Sequence, residues 1–533
     1  MGTYLNPGNT DFFRIVNDDY IDKTGLIGLI NDTINKPRCM TCISRPRRFG
    51  KSFAAKMLCA YYDHTCDSHA LFDSRMISAH PSYEEHLNQY HVIYLDIAGF
   101  LSDMKRRHCD IKNVVNEIAD TIRAEVVADC PELSDIPRVS DCLLQYVKIT
   151  GRKFVFIIDE WDAVIREAKN DNAAQAAYLN LLREWFKNGN FTGKAVAAAY
   201  MTGILPIKKD GTQSAISDFR EYSILNPGKF AEYTGFTEAE VRTLCQKHDM
   251  DFEEAKRWYD GYSFAQSGSI YNPFSVMMAM DSGEYASYWR QTSAAESLLT
   301  YIELEVNSEN SDLQTKILKL IAGEHLEIDV SGFENDFQTF HSDDDVLTLL
   351  VHLGYLAYDK DSNLARIPNE EVNLEFKRLL KKQGHPKLSQ LIWQSRQLLA
   401  DTLSGNGKAV AAAIQQIRGM NYAPQFYNNE QSLRYAVKFA YIICIDMYMK
   451  VEELPSGKGL ADVVYLPKRN TALPAIVVEL KWEASADAAI EQIKQKNYPA
   501  VLADYCGEIV LVGINYDRKT DAHSCKIEKI AKR

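Results

Sequence analysis

Short apolar runs that do not alternate with polar residues recur through the first half of the chain, three of them carrying Asp96, Asp159 with Glu160, or Thr202 at or beside the C-terminal end. Cys39 to Ile43, His91 to Ile97, Lys153 to Glu160 and Lys194 to Gly203 are the clearest; such runs predict strands covered on both faces, as in a parallel sheet. Helical periodicity from Ala168 to Asn188 supplies the crossover such a sheet needs, so the first region reads as α/β. At Thr237 the pattern changes. Thr237 to His248 is amphipathic with Glu240 three residues after Thr237, the spacing of a capping box. The aromatic stretches Trp258 to Phe264 and Ile270 to Val276, punctuated by Gly261 and Pro273, predict a small helical lid. Glu296 to Met420 is mostly helical, except where a helix ending near Gly354 leads into strands at Tyr355 to Tyr358 and Leu364 to Pro368. That order is winged-helix-like, and without a basic recognition helix it reads as a bridge between domains. Beyond Gly419, a helix from Asn429 to Met447, a hairpin of Gly459–Leu466 with Pro474–Trp482 and a helix from Ser485 to Lys496 predict a last α/β domain. The expected division is 1–235, a lid at 236–300, a helical and winged-helix-like middle region at 301–418, and 419–533.

The first run feeds Arg45-Pro46-Arg47-Arg48-Phe49-Gly50-Lys51-Ser52, which ends as a phosphate-binding loop ends. In such a loop backbone N–H groups and a helix start wrap the phosphates, the Lys reaches the outer ones and the Ser hydroxyl holds Mg²⁺. Arg45 stands where the usual pattern has its first Gly, so an L-residue is expected to close a turn that favours φ > 0. The third run delivers Asp159 and Glu160 at its C-terminal end. Asp159 is expected to hold the Mg²⁺ water shell and Glu160 to orient the attacking water, because phosphoryl transfer needs charge neutralisation and a placed nucleophile. Glu directly after that Asp, with an extra strand candidate at His91 to Ile97 carrying Asp96, suits the AAA+-like branch of P-loop proteins. Thr202 ends the fourth run, where a polar residue either senses the γ-phosphate or simply closes the strand. Arg220 is a candidate arginine finger, in cis or in trans.

A second chemical site is expected near the C-terminus. Glu479 and Lys481 project from one face of their strand, and Asp462 on the partner strand can reach that face. The lead-in from Ala475 to Val478 is wholly apolar, so a Glu there is costly without a task. A divalent metal, Mg²⁺ or Mn²⁺, held by Asp462, Glu479 and the Leu480 carbonyl would activate water while Lys481 orients it. Either Gln492 or Glu430 would complete the shell.

Composition narrows the partners. The chain has 533 residues, 46% hydrophobic and 25% charged, enough for about three domains. No apolar run approaches a bilayer span and Met1 to Thr10 lacks a signal-peptide layout, so no membrane role and a cytoplasmic location are expected. Net charge of −12 argues against coating nucleic acid through bulk charge; the basic clusters at Arg45–Arg48 and Lys105–His108 remain as local contacts or solvated charge. Eleven Cys lack framework spacing, and Cys39 and Cys42 read as buried strand residues, not half a zinc site.

Together, Val16–Thr24, Arg45–Ser52, Ile158–Asp162, Tyr259–Tyr262 and Tyr271–Phe274 resemble the AAA-ATPase-like proteins, common in gut bacteria, that end in a PD-(D/E)XK nuclease domain. The resemblance covers nearly the whole chain, and a loop lacking the first Gly is that family's own variant. It implies a P-loop NTPase core, helical lid and middle region, and a restriction-endonuclease-like C-terminal domain whose motif falls on Asp462, Glu479 and Lys481, with Gln492 and Tyr498 in or after the trailing helix. Leu460 stands where the family often has Arg, implying a weaker phosphate contact near the metal. The expected function is an ATP-binding protein whose hydrolysis gates a metal-dependent nuclease, with DNA preferred to RNA as partner; an AAA+ core raises the expectation of a homo-oligomer. The alternative is a nucleotide-dependent switch or scaffold whose nuclease-like fold is non-catalytic.

Overall fold

The computed structural model describes residues 2–168, 171–207, 216, 218–264, 267–289, 313–333, 340–379, 386–421, 427–456, 459–468, 473–495 and 507–530. The chain divides into two compact units, Met1–Ser311 with Glu327–Glu371, and Asp312–Leu326 with Val372–Arg533.

The first unit is built on strands β1 (Met40–Ser44), β2 (His91–Asp96), β3 (Phe154–Asp159), β4 (Val196–Gly203) and β5 (Arg220–Tyr222), in the order β2-β3-β4-β1-β5 and all parallel. Every residue of β1, β3 and β4 is buried, which is why these segments read as unbroken apolar runs. Phe156 of β3 contacts Trp185, Phe186 and Phe191, so the sheet's cover is aromatic. β4 lies between β1 and β3; neighbouring strands sit about 4.8 Å apart, which separates the ends of β1 and β3 by roughly 10 Å. Helix α1 (Lys51–Tyr62) leaves the loop after β1, and the short α2 (Ala163–Glu167) follows β3.

A lid follows in the same unit. Strands β6 (Phe236–Thr237), β7 (Tyr262–Phe264) and β8 (Gly268–Tyr271) pair in the order β6-β8-β7, and helix α3 (Glu238–Lys247) carries the expected capping box of Thr237 and Glu240. Val241, Leu244, Tyr259, Tyr271 and Val276 form its core, with helix α4 (Pro273–Ser282) capped by Asn272. Helix α5 (Asp343–Leu353) ends at Gly354 with φ 85°, and β9 (Ala357–Asp359) pairs antiparallel with β10 (Leu364–Arg366). This helix and hairpin bond to the lid: Arg366 donates to Gly261 O at 2.9 Å, Asn369 to Asp260 O at 2.7 Å, and the Tyr262 hydroxyl to Gly354 O at 2.5 Å. Of the stretch 301–418, expected as one middle region, 327–371 groups with the first unit, where these bonds tie it to the lid, and 312–326 and 372–418 group with the second.

The second unit has helices α6 (Gly407–Asn421) and α7 (Glu430–Ala440) before the sheet β11 (Tyr448–Ser456), β12 (Gly459–Pro467), β13 (Ala475–Trp482), β14 (Ile509–Asp517) and β15 (Ala522–Ile530), ordered as in sequence. Only β13 and β14 pair in parallel, and helix α8 (Ala486–Gln495) makes the crossover between them. The helix expected at Asn429 to Met447 stops at Ala440 and resumes as Cys444–Met447. Among the described residues, no helix is long and apolar enough to cross a membrane.

Candidate functional sites

Because β1, β3 and β4 run parallel, their C-terminal ends share one edge, and the loop Arg45–Ser52 closes over it. The left-handed positions in that loop are Arg48 (φ 70°) and Gly50 (φ 80°). Arg45, expected to bear the strain of the missing Gly, is not among the positive-φ residues. Its guanidinium is fully buried, donates from Nη1 to Ser44 O at 3.0 Å and Tyr222 O at 2.8 Å, and lies 5.5 Å from the Phe264 ring. Arg45 thus braces the end of β1 against β5. Pro46 faces Gly354, the Phe49 ring meets Tyr262 edge-on at 5.3 Å, and Arg48 stacks 4.3 Å over Phe274. Arg47 sits half-buried in the loop.

Lys51 is buried and its ammonium donates to the Arg45 and Pro46 carbonyls at 3.0 and 2.7 Å. Burial pushes it down to about 8, against the pull of Glu160, Asp159 and Asp162. Asp159 is buried, and Thr202 Oγ1 donates to it. Burial raises its carboxyl above the ordinary value, with Ser52 and Thr202 opposing. Glu160 leaves the strand at φ 51°, its N–H donating to Thr202 Oγ1 at 3.2 Å. Its carboxylate accepts from Arg166 at 2.7 Å. Burial pushes Glu160 upward, yet Arg166, with Lys51 and Arg47, leaves it below the usual carboxylate range. Thr202 thus bonds Asp159 with Glu160 next in the chain, Lys51 and Ser52 both act on the Asp159 charge, and a Ser hydroxyl with an Asp carboxylate supplies the hard oxygens Mg²⁺ takes.

Two residues at this site escaped the sequence reading as functional candidates. Asp162 is buried and takes N–H donors from Ile204 and Leu205, and it also holds Arg166 at 3.2 Å. Arg220 lies elsewhere: it opens β5 opposite Thr41, three residues short of the end of β1 and so about 10 Å along the strands from the loop. The motif Val16–Thr24 ties down the lid, since Lys23 donates to both Glu240 oxygens at 2.7 Å and to Glu232 O at 2.6 Å, and Asp19 pairs with Lys247 and with His248 at 3.0 Å.

In the second unit, Val463 of β12 faces Val478 of β13, so Asp462 and Glu479, one residue further out on each strand, share the opposite face. Both are buried. Leu480 N–H donates to Asp462 Oδ2 at 2.8 Å, and the Lys481 ammonium stands 3.8 Å from Glu479 Oε1. Gly513 lies beside Glu479 on β14, and a Cβ there would meet Ala486 O at 2.5 Å; this close approach of α8 brings Gln492 onto Glu479, to which its amide donates. Arg434 of α7 donates to Asp462, a partner no motif pointed to. Glu430 is exposed at the first position of α7, one turn before Arg434. Tyr498 lies outside the described residues. Two carboxylates beside the main chain of Leu480 form an oxygen set that fits Mg²⁺ or Mn²⁺. Among the described residues no group of three or more His, Cys, Asp or Glu could hold a metal, so further donors would come from main chain, water or substrate. Cys39 and Cys42 are free and buried.

Residues 7–213 match the family model described as predicted AAA-ATPase, and residues 435–525 match that of the PD-(D/E)XK nuclease superfamily. A protein of Azotobacter chroococcum mcd 1, described as "Uncharacterized protein in vnfD 5'region", is 22% identical over 520 residues, covering 94% of this chain and 93% of its own. Among solved structures, the Aeropyrum pernix ORC2 protein is a distant likeness: in its ADPNP-ADP complexes it is 11% identical at TM-score 0.33, covering 69% of this chain and 98% of that one, and in its ADP form the TM-score is 0.28.

Proposed function

We propose that this chain, which joins an AAA-ATPase-like segment to a segment of the PD-(D/E)XK nuclease superfamily, binds and hydrolyses ATP and thereby gates a metal-dependent phosphodiesterase. The observation that carries the reading is the placement, in each unit, of two acidic side chains beside a lysine: Asp159 and Glu160 with Lys51, and Asp462 and Glu479 with Lys481. In the first unit the loop amides and Lys51 grip the triphosphate, Ser52 and Asp159 hold Mg²⁺, Thr202 fixes Asp159, and Glu160 orients water for in-line attack. In the second, Asp462 and Glu479 hold the metal that, when bound, polarises the phosphodiester and lowers the pKa of water. Lys481 stabilises charge on phosphorus, and Gln492 keeps the Glu479 carboxylate in place. Nucleic acid is the substrate, DNA before RNA, and the protein works in the bacterial cytoplasm, as a homo-oligomer if an arginine must come from a neighbour.

The test is one panel: linear, circular and single-stranded DNA and RNA with Mg²⁺ or Mn²⁺, with and without ATP, for wild type, Lys51→Ala and Glu479→Ala. Cleavage lost in Glu479→Ala and altered in Lys51→Ala supports the whole reading. Every substrate left intact by wild type removes the nuclease, and cleavage indifferent to Lys51→Ala removes the gating alone. A nucleotide-dependent scaffold is the second reading, favoured by the net charge of −12 and by Arg434 already paired with Asp462.

A further inference from the structure

Arg166 donates to the Glu160 carboxylate, a contact to which ATP binding and metal holding by the residues named so far give no task. It lies on α2, six residues after Glu160 and four after Asp162, so one helical turn returns it over the end of β3. Its guanidinium makes two directed bonds to two different carboxylates: Nη2 to Glu160 Oε2 at 2.7 Å and Nε to Asp162 Oδ2 at 3.2 Å. The two acceptors differ in freedom. Asp162 is 1% exposed and fixed by the Ile204 and Leu205 N–H groups at 3.1 and 3.0 Å, whereas the Glu160 side chain is 31% exposed. A rigid fork anchored on the fixed carboxylate therefore holds the free one.

Building on the ATPase reading, we propose that Arg166 is a positioning residue for ATP hydrolysis: it holds the Glu160 carboxylate in the one orientation from which its other oxygen, Oε1, accepts a proton of the attacking water. Unrestrained, a glutamate spreads over several rotamers about three torsions, and a water held by such a group spends little time in line with the γ-phosphate. The left-handed backbone at Glu160 (φ 51°) aims the side chain out of the strand, and Arg166 fixes where it ends. A purely architectural role for Arg166, stapling α2 to the segment after β4 through Asp162, would make its removal cost the same with or without the Glu160 carboxylate.

The experiment is a double-mutant cycle on the full chain with Mg²⁺ and ATP, measuring kcat, KM, nucleotide Kd by fluorescent-analogue titration, and Tm. Arg166→Ala is expected to lower kcat about 10- to 100-fold while Kd changes less than about threefold. In the Glu160→Gln background the same change should lower kcat less than about threefold, because the group it acts through is already altered. Arg166→Lys, which keeps the cation but not the fork, should recover part of the rate. If Arg166→Ala unfolds the protein, as a fallen Tm would report, Arg166→Met, which keeps the stem, takes its place. Equal losses in the wild-type and Glu160→Gln backgrounds, or a faster enzyme, would each overturn the proposal. Wild-type turnover that Glu160→Gln leaves unchanged would instead bring down the ATPase reading on which it rests.

Discussion

The two acidic pairs are assembled in opposite ways. Asp159 and Glu160 are consecutive, so along an extended strand they would point to opposite faces; they serve one site only because the chain turns left-handed at Glu160, a conformation costing a non-glycine residue on the order of 1–2 kcal/mol. Asp462 and Glu479 come from two strands and meet because antiparallel register sets them side by side. A site made by bending one segment leaves its whole signature in adjacent residues. A site made by pairing two segments leaves half in each, and its geometry depends on register being right.

The sharpest way to break the comparison is to remove one carboxylate from each pair. Glu479→Gln keeps the size and the hydrogen-bonding partner of Gln492 but loses the charge, and should lower phosphodiester cleavage by about 10²–10⁴-fold, read as initial rate on the best substrate of the panel at saturating Mn²⁺. ATP binding should be unaffected. Glu160→Gln should slow ATP turnover by about 10²–10³-fold and leave nucleotide Kd within a few-fold, because the loop amides and Lys51 remain. Loss of nucleotide binding with Glu160→Gln would mean that its carboxylate supports the loop itself, and the contrast between a grip and an orienting group would collapse.

A difference in pH response follows from Lys51. Burial has brought its ammonium down to about 8, and a bound triphosphate favours the charged form, so binding raises its pKa and takes up a proton above that pH. Nucleotide affinity should be full below about pH 8 and weaken about tenfold per unit as pH rises beyond it, read by calorimetry in buffers of different ionisation enthalpy. An affinity flat from pH 7 to 9.5, with no proton uptake, would show that Lys51 stays charged without nucleotide.

How far each site could be read from sequence follows the same division. The proposed phosphate grip draws on backbone and side chains of Arg45–Ser52, so its parts are contiguous, and the buried strands around it declare themselves as apolar runs. What the sequence hid came from tertiary approach. Arg166 and Arg434 sit on helices where an arginine looks like solvated charge, and only the folded chain brings them onto Glu160 and Asp462. The reading of Arg45 failed for a physical reason: loop closure falls to Arg48 and Gly50, which frees Arg45 to brace β5. β5 itself, three residues long with an exposed first position, is too short to show a period, and β14 and β15 beyond the trailing helix were not read at all. The capping box at Thr237 and the stop at Gly354 were legible because each is set by a residue's own local chemistry.

The smallest expected effect compares two glycines. Gly354 and Gly405, one in each unit, are both left-handed, at φ 85° and 89°, so alanine at either carries the same backbone penalty of about 1 kcal/mol. Their surroundings differ. A Cβ on Gly405 meets nothing within 4 Å, whereas one on Gly354 would lie 2.7 Å from Pro46 Cβ and 3.0 Å from its Cγ. Pro46 belongs to the proposed phosphate loop, and its ring cannot rotate out of the way. Gly405→Ala should therefore lower Tm by a few degrees and leave nucleotide Kd alone. Gly354→Ala should lower Tm further and also weaken nucleotide binding about three- to tenfold, because the displaced proline carries the loop with it. The two Kd values, measured at equal fractions folded, separate the contact from the strain: if they match, the helix ending at Gly354 only covers the loop, and if they differ, it holds the loop in its gripping shape.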